Sequence, residues 1–275
     1  MRFLFYGLAA YLLYLVIRAV SVASQVWRWV LKPVRIEPVE SLPENVRPLF
    51  KNAVAELAGF GFEPSGEGIT HTVLGHKTWT MLFHNPAAYS YATLELNSLP
   101  DPLAPVTCTF YTFFANGETL LTLNNQKYTI VGSLPDTEVQ DDYLVSLAEQ
   151  WELHHHRQQA RATEMSSQRL PQANLIARLD QFNRAYLDHM VSTGQMSQAE
   201  NEHQYFLTPV AALAVAIKLL VGSRKSKTLQ QQRNLAVSQN RLQPVDIPLL
   251  FEVEAYQTLL NQPHRQVPGP TKILA

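Results

Sequence analysis

The chain has 275 residues and a mass of 31.1 kDa, enough for one or two domains with a full hydrophobic core. One cysteine excludes an internal disulfide framework and a Cys-rich zinc site, and 11 glycines with 17 prolines exclude collagen-like or Gly-rich repeats. Charged residues make up only 16%, and the net charge of −1 hides a strong segregation along the chain.

Residues 1–36 hold Arg2, Arg18, Arg28, Lys32 and Arg35 and no acid. Residues 37–202 hold 20 acids against nine bases. Residues 203–245 hold Lys218, Arg224, Lys225, Lys227, Arg233 and Arg241, again with no acid. Two basic blocks around an acidic centre point to a membrane surface or a nucleic acid as partner.

The first block contains an uncharged run, residues 3–17, with Phe3, Leu4, Phe5, Leu12, Leu13, Leu15, Val16 and Ile17. At 1.5 Å per residue it covers about 22 Å, short of the roughly 30 Å hydrocarbon core. The apolar pattern continues to Trp27 and Trp29, while Arg18, Ser21, Gln25, Arg28 and Lys32 recur on one helical stripe. The spacing predicts one helix over 3–32, stopped by Pro33. An uncleaved membrane anchor is the leading reading. A secretory signal cut near Ser21-Val22-Ala23 is the second, opposed by Arg18 where a neutral region is expected. A buried helix is the third. Arg18, Arg28, Lys32 and Arg35 at and beyond the end of the apolar run place the following domain on the cytoplasmic side.

Residues 33–43, punctuated by prolines, read as a linker, and 44–165 as an α+β domain. A helix is expected at 44–58, closed by Gly59 and Gly61. Closely spaced β-type runs follow at 69–74, 78–83, 89–96, 106–114 and 118–123, with a sixth at 128–131. They leave no room for crossover helices, so the sheet should be antiparallel and flanked by helices. Asn116-Gly117 signals a type I′ hairpin. Val106–Phe114 carries large side chains on both faces, so that strand should be central, with helices on one side and a second layer, a partner or a ligand on the other. Asp136 is expected to cap a helix with the stripe Val139, Tyr143, Leu147 and Trp151.

Residues 166–262 read as a helical region. The cleanest amphipathic pattern runs from Leu175 to Met190 and closes at Gly194. Thr208 and Pro209 start an apolar helix within 205–222, closed by Gly222. That helix is too short to span comfortably, and the positive-inside rule wants both basic blocks in the cytoplasm. A buried helix is therefore preferred, then one lying on the leaflet, then a second span. Arg224, Lys225 and Lys227 follow it as membrane-surface cations. Residues 224–243 read as a surface helix or loop, Asp246–Leu260 as a last helix, and 263–275 as a disordered tail. Tyr205-Phe206-Leu207-Thr208 after a helix also occurs in winged-helix DNA-binding domains, but the preceding helix carries Asp180 and Asp188 beside Arg178 and Arg184, so nucleic acid is not expected.

Chemistry is sparse. His154-His155-His156 cannot all face one ion on a helix and reads as a solvated helix end. His154 also continues the stripe from Leu147 and Trp151. His71 and His84 lie on neighbouring strands and could approach one another. Cys108 reads as a buried structural residue. No phosphate loop, nucleophile elbow or zinc-helix motif is present. No cofactor or metal is expected. The expected protein is a single-pass, membrane-anchored, non-enzymatic binding or scaffolding module at the cytoplasmic face. Its partners would be the lipid membrane and a protein. The alternatives are a membrane-associated enzyme using His71, His84 or His154, and a secreted or periplasmic binding domain after cleavage.

Overall fold

A seven-stranded sheet organises the chain. In a computed structural model, residues 2–97, 103–124, 134–162, 166–168, 174–199, 204–242 and 244 are described. The strands are β1 (Arg35–Val39), β2 (Glu63–His71), β3 (Lys77–Asn85), β4 (Ser90–Leu96), β5 (Val106–Phe113), β6 (Thr119–Asn124) and β7 (Thr137–Asp142), in spatial order β1 to β7. Every neighbouring pair is antiparallel except β6–β7, which is parallel. The α+β reading holds, and the expected antiparallel sheet is observed except at its β6–β7 edge, where the pairing is parallel.

Both faces of the sheet are covered, as the large side chains on Val106–Phe113 require. On one face, helix α2 (Arg47–Gly59) and helix α3 (Leu147–Ala162) bury Leu49, Phe50, Leu57 and Trp151 against Phe83, Leu94 and Phe110. On the other, helix α4 (Leu175–Ser192) buries Leu175, Leu179 and Phe182 against Ile36, Tyr111, Phe113 and Leu121. The helix assigned to a separate C-terminal region thus completes the core of the sheet. Its far end, with Leu187 and Met190, joins a second cluster built from the end of helix α1 (Arg2–Val26), the hairpin β8–β9 (Met196–Gln198 and Tyr205–Leu207) and the start of helix α5 (Pro209–Ser238).

Local rules explain the helix ends. After α2, Gly61 adopts φ +85°, and the amide of Phe62 donates to the carbonyl of Leu57 at 3.0 Å. After α4, Gly194 adopts φ +70°, and Gln195 donates to Met190 at 2.9 Å. These are Schellman closures, in which a left-handed residue reverses the chain. Asn240, at φ +55°, does the same after α5, where Arg241 donates to Ala236.

Five expectations are corrected. Residues 35–39 are no linker: they form β1, whose register with β2 pairs Ile36 with Thr70. Residues 137–142 are a strand, because pairing beside β6 satisfies their backbone, and the helix starts only at Leu147. The turn at Asn116-Gly117 is not type I′. Gly117 alone is left-handed at φ +94°, its amide donates to Phe114, and Phe114 donates to Glu118, a three-residue loop with a glycine bulge. Helix α1 ends at Val26 rather than at Pro33, since Leu31 must extend to exchange two backbone hydrogen bonds with Tyr205. Finally, Gly222 does not stop α5, which runs 30 residues to Ser238. A glycine inside a helix costs only about 1 kcal/mol, less than ending it would. The expected strand at 128–131, last helix at 246–260 and tail at 263–275 lie outside the described residues.

Candidate functional site

Among the residues whose side chains are described, several of those expected to meet a membrane are apolar yet exposed; the side chains of Phe3, Leu4, Phe5 and Arg224 lie outside that set. The stretch Tyr6–Val26 of α1 has 21 residues and a mean hydropathy of 1.7, and none of its most apolar window is buried. It is long and apolar enough to cross a membrane. Leu12, Leu13, Val16 and Ile17 are each more than half exposed, as is Trp27, whereas Trp29 is half-buried. Only one stripe of α1 loses exposure: Leu15, Ala19, Val22, Ala23 and Val26, spaced to share a face. Its main neighbour is α5, where Ala211, Ala212 and Val215 are buried in the same cluster as Val26. The exit from α1 is held as firmly. Leu31 is fully buried and backbone-paired with Tyr205, and the amide of Lys32 donates to the carbonyl of Val73 at 2.8 Å. Arg18, Arg28, Lys32, Arg35, Lys225 and Lys227 are exposed. The Lys225 ammonium lies 5.4 Å from the centre of the Tyr143 ring.

The three histidines singled out in the sequence do not converge. His71 and His84 sit at opposite ends of the β2–β3 pair, opposite Lys77 and Glu63 respectively. Seven residues of strand separate them, roughly 23 Å. Each meets a glutamate, His71 with Glu37 at 3.1 Å and His84 with Glu63 at 3.6 Å. Burial, outweighing the Glu37 contact, holds the His71 imidazole below its ordinary pKa.

His154 is not at a solvated helix end. It lies mid-way along α3 and is fully buried between β5 and β6. Its Nε2 lies 3.0 Å from Thr112 Oγ1 and its Nδ1 lies 2.9 Å from Thr122 Oγ1. Desolvation, aided by Arg157 and His155, depresses its pKa to about 3. The ring is neutral, so one threonine donates to it and the other accepts from it. The network continues from Thr112 to Ser90 at 3.0 Å and from Ser90 to Gln158 at 3.2 Å. One residue row away, the Gln150 amide donates to the carbonyls of Cys108 and Thr122. Glu138 of β7 pairs with both Arg157 and Arg161, and those two hydrogen-bonded pairs pull its carboxyl below the ordinary range although burial opposes them. The cluster is a polar clamp fastening α3 to the sheet.

A second polar cluster, absent from the sequence reading, lies on the opposite face. Strand alternation and register place Thr70, Thr80, Thr93, Glu95, Thr109 and Tyr111 on the same side as Leu82. The Thr70 and Thr80 hydroxyls are 2.6 Å apart. Glu95 stands between Thr80 and Thr107, and desolvation raises its carboxyl to about 7. Burial first, then the Glu95 charge, pushes the Tyr111 hydroxyl upward, against hydrogen bonds from Thr93 and Thr109. The signal was available: Glu95 is the one acid in a strand of otherwise uncharged residues. Cys108 is buried, as expected, and burial raises its thiol far above the range of a nucleophile.

Among the described residues no group of three or more His, Cys, Asp or Glu side chains could hold a metal ion. The outer face of α4 lacks a basic strip, and Asp180 there accepts a hydrogen bond from the Ile36 amide. No family model, curated protein or solved structure matches the chain.

Proposed function

We propose that the protein is a membrane-anchored, non-enzymatic binding or scaffolding module, held by an uncleaved α1 with its sheet domain at the cytoplasmic face. The observation that carries this reading is the division of α1 into a bare apolar part and a docked stripe. Residues 6–14 stand exposed and uncharged. Leu15, Ala19, Val22, Ala23 and Val26 pack towards α5, an element that begins only at Pro209. A cleaved signal has no reason to complement its mature domain. Removing 1–23 would strip the side of α5 carrying Ala211, Ala212 and Val215. The cytoplasmic orientation is supported by the bases at and after the end of the apolar run. The alternative of an enzyme using these histidines together is disfavoured, since His71 and His84 lie at opposite ends of a hairpin and His154 is sealed in the core.

Alkaline extraction of membranes, intact mass and a C-terminal cytoplasmic reporter together test this. The protein should stay in the membrane pellet, retain Met1 or Arg2 as its first residue, and carry an active reporter. Recovery in the soluble fraction with a new N-terminus near Ser24 would overturn it in favour of the exported domain.

A further inference from the structure

The first half of α5 carries a single charge, Lys218, and otherwise no polar side chain before Gly222. Ala211, Ala212, Val215 and Ala216 turn inward and are buried. On the opposite side Val210, Leu213, Ile217 and Val221 are equally apolar and uncovered, with Val210 82% and Val221 52% exposed. A helix apolar all round belongs in a protein core or in lipid. Helix α1 shows a related division over 13–26. One strip packs towards α5, a second strip of Leu13, Val16, Ile17 and Val20 is bare, and a third holds Arg18, Ser21 and Gln25, with exposed Arg28 in the turn that follows the helix.

We propose that these two bare apolar strips form one lipid-facing platform. In it the first half of α5 lies in the headgroup–acyl boundary of an anionic leaflet beside α1, so that the membrane is met by a helix pair rather than by α1 alone. The proposal rests on the anchor reading and extends it. Three observations favour lipid over a protein as the occupant. First, α5 packs against Leu15–Val26 of the helix assigned to the membrane, so whatever surrounds that part of α1 also surrounds α5. Second, no acid occurs in residues 1–36 or 203–245, while Lys218 flanks the bare strip and Lys225 and Lys227 follow it, the charge pattern of an interfacial helix at an anionic surface. Third, a helix lying in the interface needs a water-facing strip, and Arg18, Ser21, Gln25 and Arg28 supply one; a simple through-span needs none. Lys and Arg side chains at the margins can extend their charges outward.

The test uses the full chain with Cys108→Ser, which removes its one cysteine. Single cysteines at Val210, Ile217 and Val221 in α5, at Leu12 in α1 and at exposed Glu152 in α3 carry an environment-sensitive fluorophore. Retained near-ultraviolet circular dichroism checks each fold. The protein is reconstituted with vesicles of phosphatidylcholine and phosphatidylglycerol containing a shallow nitroxide lipid. The proposal expects blue-shifted emission and strong nitroxide quenching at 12, 210, 217 and 221, with neither at 152. It also expects Lys225→Glu with Lys227→Glu to lower quenching at 217 while leaving 12 unchanged. Quenching at 12 with water-like emission at 210, 217 and 221 would overturn the platform and leave the anchor reading standing. Blue-shifted but unquenched labels in α5 would mean that a second copy or another protein covers the strip, and would also overturn it. Water-like emission at 12 as well would overturn the anchor reading and the platform together.

Discussion

His154 and Glu95 load the fold with opposite pH dependences, and separating them tests both environments. The His154 imidazole has a folded pKa of about 3 against 6.5 unfolded. Its contribution is fully present above 6.5 and is lost as pH falls towards 3, because the unfolded chain takes the proton first. By linkage, moving from pH 7 to pH 5 costs the fold about 2 kcal/mol through this one group. Glu95 has a folded pKa of about 7 against 4.5 unfolded. Its contribution is fully present below 4.5 and is lost as pH rises towards 7, so the same acidification returns about 2 kcal/mol. The two nearly cancel between pH 5 and 7, and below 4.5 only the His154 loss continues. Urea unfolding in non-ionic detergent, followed by tryptophan fluorescence, reads this directly, since Trp151 lies 5.8 Å from the His154 ring. Relative to the parent chain, Glu95→Gln should lose about 2 kcal/mol between pH 7 and 5, and His154→Gln should gain about the same. Groups shared by all three proteins drop out of the comparison. A Glu95→Gln variant with the parent's pH dependence would refute the raised carboxyl. A His154→Gln variant with the parent's profile would refute the sealed imidazole.

Gly68 lies where β1 crosses β2, and an added Cβ would stand 2.8 Å from Ile36 Cγ2 and 2.9 Å from the Glu37 carbonyl oxygen. Backbone cannot swing aside, so Gly68→Ala should cost about 1–3 kcal/mol and lower Tm in a thermal melt. Gly222→Ala should do the reverse. Its methyl would lie 3.0 Å from the hydroxyl of half-buried Tyr143, which can shift, and a mid-helix alanine gains about 0.5–1 kcal/mol over glycine. A fall in Tm would mean that Tyr143 is fixed in place. Glu138→Gln should remove the pairs with Arg157 and Arg161, whose partly exposed geometry makes them worth about 1 kcal/mol at low salt. The destabilisation should shrink as salt is raised in the same melt.

Much of this architecture could be read from one strand of text. Closely spaced runs of β-branched and aromatic residues between Ile69 and Leu123, broken at Gly75, Asn85-Pro86 and Pro100 to Pro105, located β2 to β6, because such side chains favour the extended backbone and Gly and Pro interrupt it. The 3.6-residue stripe from Leu175 to Met190 located α4, and Gly61 and Gly194 marked helix ends through their left-handed backbone. The uncharged run after Arg2 fixed α1 as the one apolar helix of membrane-spanning length among the described residues. These features are local: they depend on side-chain period, backbone freedom and hydropathy within a few turns of chain. What surrounds them is not local. Residues 137–142 have an acidic, weakly periodic sequence that would suit a helix start, and only the open edge of β6 makes them a strand. The three histidines were legible as residues but not as a site, since register puts His71 and His84 at opposite ends of a hairpin. His154 became a buried clamp only when Thr112 and Thr122 came to face α3. Glu95 acquired its high pKa from the sheet closing over it. The sequence determined which segments are apolar, extended or helical and where charge collects; tertiary structure decided which apolar surfaces are covered. That decision leaves α1 and the first half of α5 docked together with bare outer strips, because burial depends on what meets each face in space, and hydropathy cannot state that.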